Sequence, residues 1–274
     1  MMLLAVLLAC SRTVAPEVAP TPAPTPAPLP AAEVVSVDAG LILAESGGLR
    51  LVEHTWTLGA SQGWLWVATM PRDAALTIHP SASVRKLATF PPAAEGEVLL
   101  NGGFYDNGAM GLVAHEGTTH TARSPGGGSG ILYADGGPMD VVHRDAWGGS
   151  AQEGVQSIDR IVDGGASVVT KRPNVPRTSR VAVAVREDAV MAIVAGGEPS
   201  TQRKERQMHL GASEHDGLPL WAFADAVVAL GAERALNLDG GISTEATVQV
   251  GGQVYTVTGG VGTINAVRLS ATPQ

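Results

Sequence analysis

The chain has 274 residues, a formal net charge of -8, 45% apolar side chains and one cysteine, Cys10. Its 18 Lys and Arg are outnumbered by 26 Asp and Glu, and apart from short groups at 171–180 and 203–206 they are scattered. That excludes nucleic acid as a main partner, since phosphate-backbone binding calls for a basic surface. With no cysteine after residue 10, a disulfide framework and a cysteine zinc site are excluded as well.

Residues 1–10, "MMLLAVLLAC", are too short to cross a bilayer as a helix, which needs about 20 residues. Leu7-Leu8-Ala9-Cys10 has the form of a bacterial lipobox, so this segment is expected to be a lipoprotein signal peptide ending at Cys10, the lipidated residue. Residues 11–33 contain "APEVAPTPAPTPAPLP", an alternation of proline and small residues that stays extended in polyproline II form and cannot fold. It reads as a semi-rigid tether. Together these segments predict a domain anchored to a membrane through lipid, in the periplasm or on the outer surface of a bacterial envelope. Residues 34–274 carry no second linker of this composition and read as one domain.

Within that domain, short runs rich in Val, Ile and aromatics recur between Gly, Asp and Asn: 63–70, 97–105, 129–135, 179–185, 189–195, 234–239, 247–257 and 265–270. These are expected strands. The runs on either side of "REDA" (186–189) predict one hairpin and those around Gly251-Gly252 another. One helix is expected in "PLWAFADAVVALGA", where Leu220, Phe223, Val227 and Leu230 share a face, Pro219 suits the first turn and Gly231 the stop. The next strand, "RALNLD", would then carry Asp239 at its C-terminal end, where open α/β sheets commonly present ligand groups. The predicted class is α+β (mixed α/β), a sheet-rich single domain with a few helices.

Several known signatures fail on spacing. "HEGTTH" (115–120) places its histidines five apart instead of the four a zinc-protease helix requires. "GGGSGI" has Ile131 where a nucleophile elbow needs Gly, and "GGVG" (259–262) lacks the Lys-Ser or Lys-Thr of a phosphate loop. What stands out instead is "ERALNLDGGISTEA" (233–246), where an apolar run ends in Asn237, Asp239, two glycines, Ser243 and Thr244. Taken alone, it is also what a tight turn would use.

The ordered set "NGGFYD" (101–106), "GLVAHEG" (111–117), "QSIDRIVDGG" (156–165), "SRVAVAV" (179–185), "ALGAERALNLDGGIST" (229–244) and "NAVRLS" (265–270) resembles the phosphodiester glycosidases. That family includes a lysosomal enzyme that removes N-acetylglucosamine from a sugar phosphodiester, and many uncharacterised bacterial members. Family members commonly have glycine where Ile242 stands, and an Arg-Thr-Ala-Ile/Val-Gly run where this chain has Arg180 to Ala184. Arg177-Thr178 offers a competing alignment.

The resemblance implies hydrolysis of a glycosyl-1-phosphodiester into sugar and phosphomonoester through an oxocarbenium-like state. Such a reaction needs a carboxylate near the anomeric carbon and a cation on the phosphate. Asp239 is the implied carboxylate, with Asp106 and Asp163 as alternatives; Arg180, or Arg177, is the implied cation, because guanidinium offers bidentate donors. Asn101 and Asn237 would hold sugar hydroxyls or the N-acetyl group. Gly102, Gly103, Gly240 and Gly241 would let backbone approach the ligand, and Ser243 and Thr244 would bond the phosphate. No cofactor and no metal cluster are expected, though a divalent cation on Asp side chains and carbonyls is compatible with a phosphate substrate. Two other readings stand beside this one: a glycan-binding envelope lipoprotein without turnover, suggested by Ile242 and Ala184, and a metal-dependent phosphodiesterase that cuts the phosphorus–oxygen bond.

Overall fold

A computed structural model describes residues 33–172, 175–198, 201–210 and 217–271. The expected signal peptide with Cys10, and all of the tether but Glu33, lie outside the described residues. Strands of nine-, seven- and five-stranded sheets dominate the rest. Nearly all pairing is antiparallel; among the described strands the parallel pair is Gln207–Leu210 with Gln253–Thr258.

In the middle of the nine-stranded sheet the spatial order is Leu49–Leu58, Ser61–Pro71, Ala189–Gly197, Arg180–Val185, Arg234–Asn237, Asp159–Asp163. Successive side chains of a strand point to opposite faces. In Arg180–Val185 this puts Val181, Val183 and Val185 into a core shared by all three sheets. Ala182 and Ala184 face the other way, against the helix. A strand covered on both faces reads as an unbroken apolar run, and so it did in the sequence. Alanines at 182, 184, 195 and 235 leave room for the helix to lie close.

That helix, Leu220–Ala229, begins after Pro219 and buries Trp221, Phe223 and Val227; fully burying a side chain such as Phe223 contributes about 2 kcal/mol. Gly231, at φ +87°, ends it, a left-handed conformation that costs other residues a Cβ clash. The helix is ten residues long and is the one α-helix among the described residues; four single-turn 3-10 segments accompany it. The expectation of a few helices is thus corrected, and the domain is mostly β. Helix, turn and strand do follow in order, but Arg234–Asn237 has antiparallel neighbours on both sides and is not part of a parallel α/β sheet.

In the seven-stranded sheet Glu97–Asn101 lies between Ala246–Val250 and Thr263–Ser270. The strand expected through 105 stops at Asn101, although the Gly102 N–H still donates to the carbonyl of Asn265 at 2.9 Å. The hairpin at Gly251-Gly252 forms with φ +61° and +69°, and the Glu95 carboxylate accepts both glycine N–H groups, at 2.6 and 3.1 Å. No helix among the described residues is long and apolar enough to cross a membrane.

Candidate active site

Three neighbouring strands in the middle of the nine-stranded sheet have ends that meet along one margin, across the strand direction. Asp159 opens its strand opposite Asn237, which closes the next, and Asn237 lies opposite Ala182. Residues paired across antiparallel strands share a face, and so do residues two apart along a strand. Asp159, Asn237 and Arg180 therefore project from the same face as Ala182, the face that the helix covers.

Asp239 follows two residues beyond Asn237. Leu238 still donates to the Val181 carbonyl at 2.8 Å, and the Asp239 N–H then reaches the Gly102 carbonyl at 3.0 Å. One carboxylate oxygen accepts the Gly240 N–H at 2.8 Å. Burial pushes the Asp239 carboxyl above the usual carboxylate range, against the opposing pull of hydrogen bonds from the Ser243 hydroxyl and the Gly240 N–H. The following turn is tied to the strand before Arg180: the Gly241 N–H donates to the Ser179 carbonyl at 2.9 Å, and the Ser179 hydroxyl donates to the Gly241 carbonyl at 2.8 Å.

Asn101 holds these segments together. Its Nδ2 donates to the Asp239 carbonyl at 2.8 Å, and its Oδ1 accepts the Glu245 N–H at 3.0 Å. Both amide atoms are thereby engaged with main chain, and the residue is fully buried. The four expected glycines are explained by protein contacts. A Cβ on Gly102 would lie 1.7 Å from Asn265 Oδ1, one on Gly103 2.5 Å from the Gln156 carbonyl, and one on Gly240 2.8 Å from that of Ser179. Gly241 has φ +61° and faces Thr178.

Arg180 is positioned by two carbonyls, Leu218 to its Nε and Pro176 to its Nη2, each at 3.1 Å. Burial lowers its pKa to about 10, with the charge of Asp159 working in the opposite direction. It stays cationic at neutral pH. Arg177 is directed elsewhere, to the Ser61 hydroxyl at 2.7 Å and to Glu33 at 3.8 Å. Asp163 occupies the other end of the Asp159–Asp163 strand, paired with Arg160 at 2.8 Å. Asp106 is exposed and accepts from the neighbouring Asn107 amide.

Two buried side-chain oxygens here have no hydrogen-bond partner among the described residues, Asn237 Oδ1 and Thr244 Oγ1. Unpaired buried polar atoms are costly, and a bound sugar hydroxyl would relieve that cost. Ser243 is buried as well, with its hydroxyl on Asp239. Sequence reasoning passed over Asp159 and Glu245. Burial pushes the Asp159 carboxyl up while Arg180 pulls it down. Glu245 is buried, accepts the Leu87 N–H at 2.7 Å and faces Lys86 at 3.5 Å, a tie that anchors the Asp239 loop. Asp159 stood inside "QSIDRIVDGG", and its distance from a turn was the available signal. Ala184 is part of the helix-facing core, whereas Ile242 is 38% exposed. Among the described residues no group of three or more His, Cys, Asp or Glu is placed to hold a metal ion.

The arrangement offers a buried carboxylate with raised pKa, a fixed guanidinium and unpaired amide and hydroxyl oxygens along one margin. Residues 94–267 match the family model described as phosphodiester glycosidase. Among solved structures, the zebrafish N-acetylglucosamine-1-phosphodiester alpha-N-acetylglucosaminidase catalytic domain, auto-inhibited by its pro-peptide, is similar at 12% identity and TM-score 0.57, over 88% of this chain and 89% of that one. A hypothetical protein from Synechocystis is similar at 15% identity and TM-score 0.50, over 89% of this chain and 69% of that one. At these identities the likeness is one of fold. A comparison with curated proteins gives no match.

Proposed function

The chain belongs to the phosphodiester glycosidase family, and from that premise we propose that it hydrolyses a glycosyl-1-phosphodiester, of the N-acetylglucosamine-1-phosphodiester kind, at the bacterial cell envelope. The observation that carries this reading is that the segment bearing Asn237 and Asp239 is hydrogen-bonded to the segment bearing Arg180, through Leu238 to Val181 and Gly241 to Ser179, inside the matched residues.

Asp239 acts at the anomeric carbon, either as nucleophile or as the base that takes a proton from water. The bond between that carbon and the phosphate oxygen breaks, its electron pair leaves with the phosphate, and the oxygen of water ends on the sugar. Products are the free sugar and a phosphomonoester that retains the alcohol. Arg180 neutralises the phosphate, on which the leaving charge gathers. Asn237 Oδ1 accepts from a sugar hydroxyl, and the Thr244 hydroxyl donates to a sugar or phosphate oxygen. Asn101, spent on main-chain bonds, holds Asp239 in place, and Ser243 orients the carboxylate. The glycine pairs allow the segments to pack closely enough for this.

Lipidation of Cys10 and the Pro/Ala tether would keep the domain at the envelope. The test is release of N-acetylglucosamine from an N-acetylglucosamine-1-phosphodiester by the protein, beside Asp239→Asn. Free sugar and phosphomonoester from the wild type, lost in the folded variant, are expected. Sugar phosphate as the product would instead mean cleavage at phosphorus, and absence of any product across several sugar phosphodiesters would mean a binding protein.

A further inference from the structure

Asp159 belongs to two places at once. It stands in the strand-end row with Asn237, and it also forms part of the wall of a cleft of about 500 Å³. The cleft lies between the first turn of the helix, the segment after Ala166–Ser167, and Ser129. Its volume falls within the range of pockets that enclose small ligands, and a methyl group would leave most of it filled with water.

Its lining is mixed: Asp159, Ser129, Thr170, His143, Arg160 and Arg172 bring polar groups, and Val168, Val169, Val175 and Leu220 bring aliphatic ones. Val168 is 49% exposed and lines the cleft. Trp221 also lines the cleft, but it is not a platform for a second sugar ring. Lys171 Nζ stands 4.7 Å from its ring centroid and is held there by Asp225 at 3.2 Å.

We infer that this cleft takes the alcohol half of the phosphodiester, and that the alcohol is amphipathic, with oxygens beside Asp159 and an alkyl part along the valines. The inference rests on the hydrolytic reading of the strand-end site. Because the bond that breaks is the one to the sugar, the alcohol remains on the phosphomonoester product. Alkyl phosphates therefore probe the cleft without turnover.

The experiment is calorimetric titration of the full chain with octyl phosphate, below its micelle concentration, and with methyl phosphate. Burying several methylenes against the aliphatic side chains should make octyl phosphate bind at least about tenfold tighter. Val168→Asp should reduce that ratio to below about threefold. Val254→Asp, at an equally exposed valine on the Gln253–Thr258 strand, should leave the ratio as it is in the wild type. Equal binding of the two phosphates, or a preference that Val168→Asp does not reduce, would overturn the assignment. Its failure and that of the hydrolytic reading are distinguishable by the matching methyl and octyl sugar phosphodiesters. Turnover of both without preference removes the cleft assignment alone; an octyl preference in binding with neither diester turned over removes the hydrolytic reading alone.

Discussion

The Asn101 side chain donates to the main-chain carbonyl of Asp239 across 138 positions of sequence, at 2.8 Å. The same amide accepts the Glu245 N–H at 3.0 Å, so one buried side chain fixes both ends of the loop that carries the proposed carboxylate. Asn101→Ala strands a buried carbonyl and a buried N–H, and should cost about 3 kcal/mol. A urea midpoint unchanged from wild type would remove Asn101 from this role.

Asp239→Asn preserves shape and keeps an oxygen for the Gly240 N–H. It should reduce sugar release by a factor of about 1,000 or more. It should also raise the melting temperature at neutral pH by roughly 2 °C, since a buried charge is relieved. An unchanged turnover number, or a variant that melts well below wild type, would contradict the assignment.

The pH dependence has a defined sign. Asp239 is held above its ordinary range by burial, and Glu245 likewise, so the folded protein binds these protons more tightly than the unfolded chain. Stability from this source is complete below the unfolded carboxyl values and declines as pH rises to the raised folded values. Activity that needs ionised Asp239 should rise with pH through that same window. Melting curves of wild type and Asp239→Asn over a pH series should diverge as pH increases; curves that converge would show the opposite shift.

Arg180→Lys loses the planar fork that the Leu218 and Pro176 carbonyls position, and kcat/KM should fall by about 10- to 100-fold. Arg177→Ala, at a side chain turned to Ser61 and Glu33, should stay within about twofold of wild type. Reversed effects would make Arg177 the phosphate ligand.

Gly102→Ala puts a methyl 1.7 Å from Asn265 Oδ1 and should destabilise by more than about 3 kcal/mol. Gly137→Ala, with nothing within 4 Å, should be nearly neutral. Comparable midpoints for the two would mean that the Gly102 turn yields more easily than its packing suggests.

Apolar runs such as Arg180–Val185 and Ala189–Gly197 were legible because both faces are buried, leaving no polar residue to interrupt them. Leu49–Leu58 was not, since Arg50 and His54 on the face of Trp56 and Leu58, and Glu53 on the face of Leu49 and Leu51, interrupt both of its apolar faces. The helix was legible at both ends through Pro219 and Gly231. In the site, Asp239 and Asn237 could be selected because they end such a run. Asp159 could not, because its relation to Asn237 exists only through strand pairing. Nor could sequence separate Asn101 from a ligand-binding amide, as the difference lies in which atoms its hydrogen bonds occupy.

The Gly103 N–H is satisfied by Asn265 Oδ1, 162 positions further along the chain. No shorter stretch closes this corner, so the proposed site has no partial version. Folding must bring remote segments together before any of it exists, which places the protein among slow, high-contact-order folders with times of milliseconds to seconds. Cleavage of the chain anywhere between those two positions, followed by separation of the pieces, should leave neither piece with a working site.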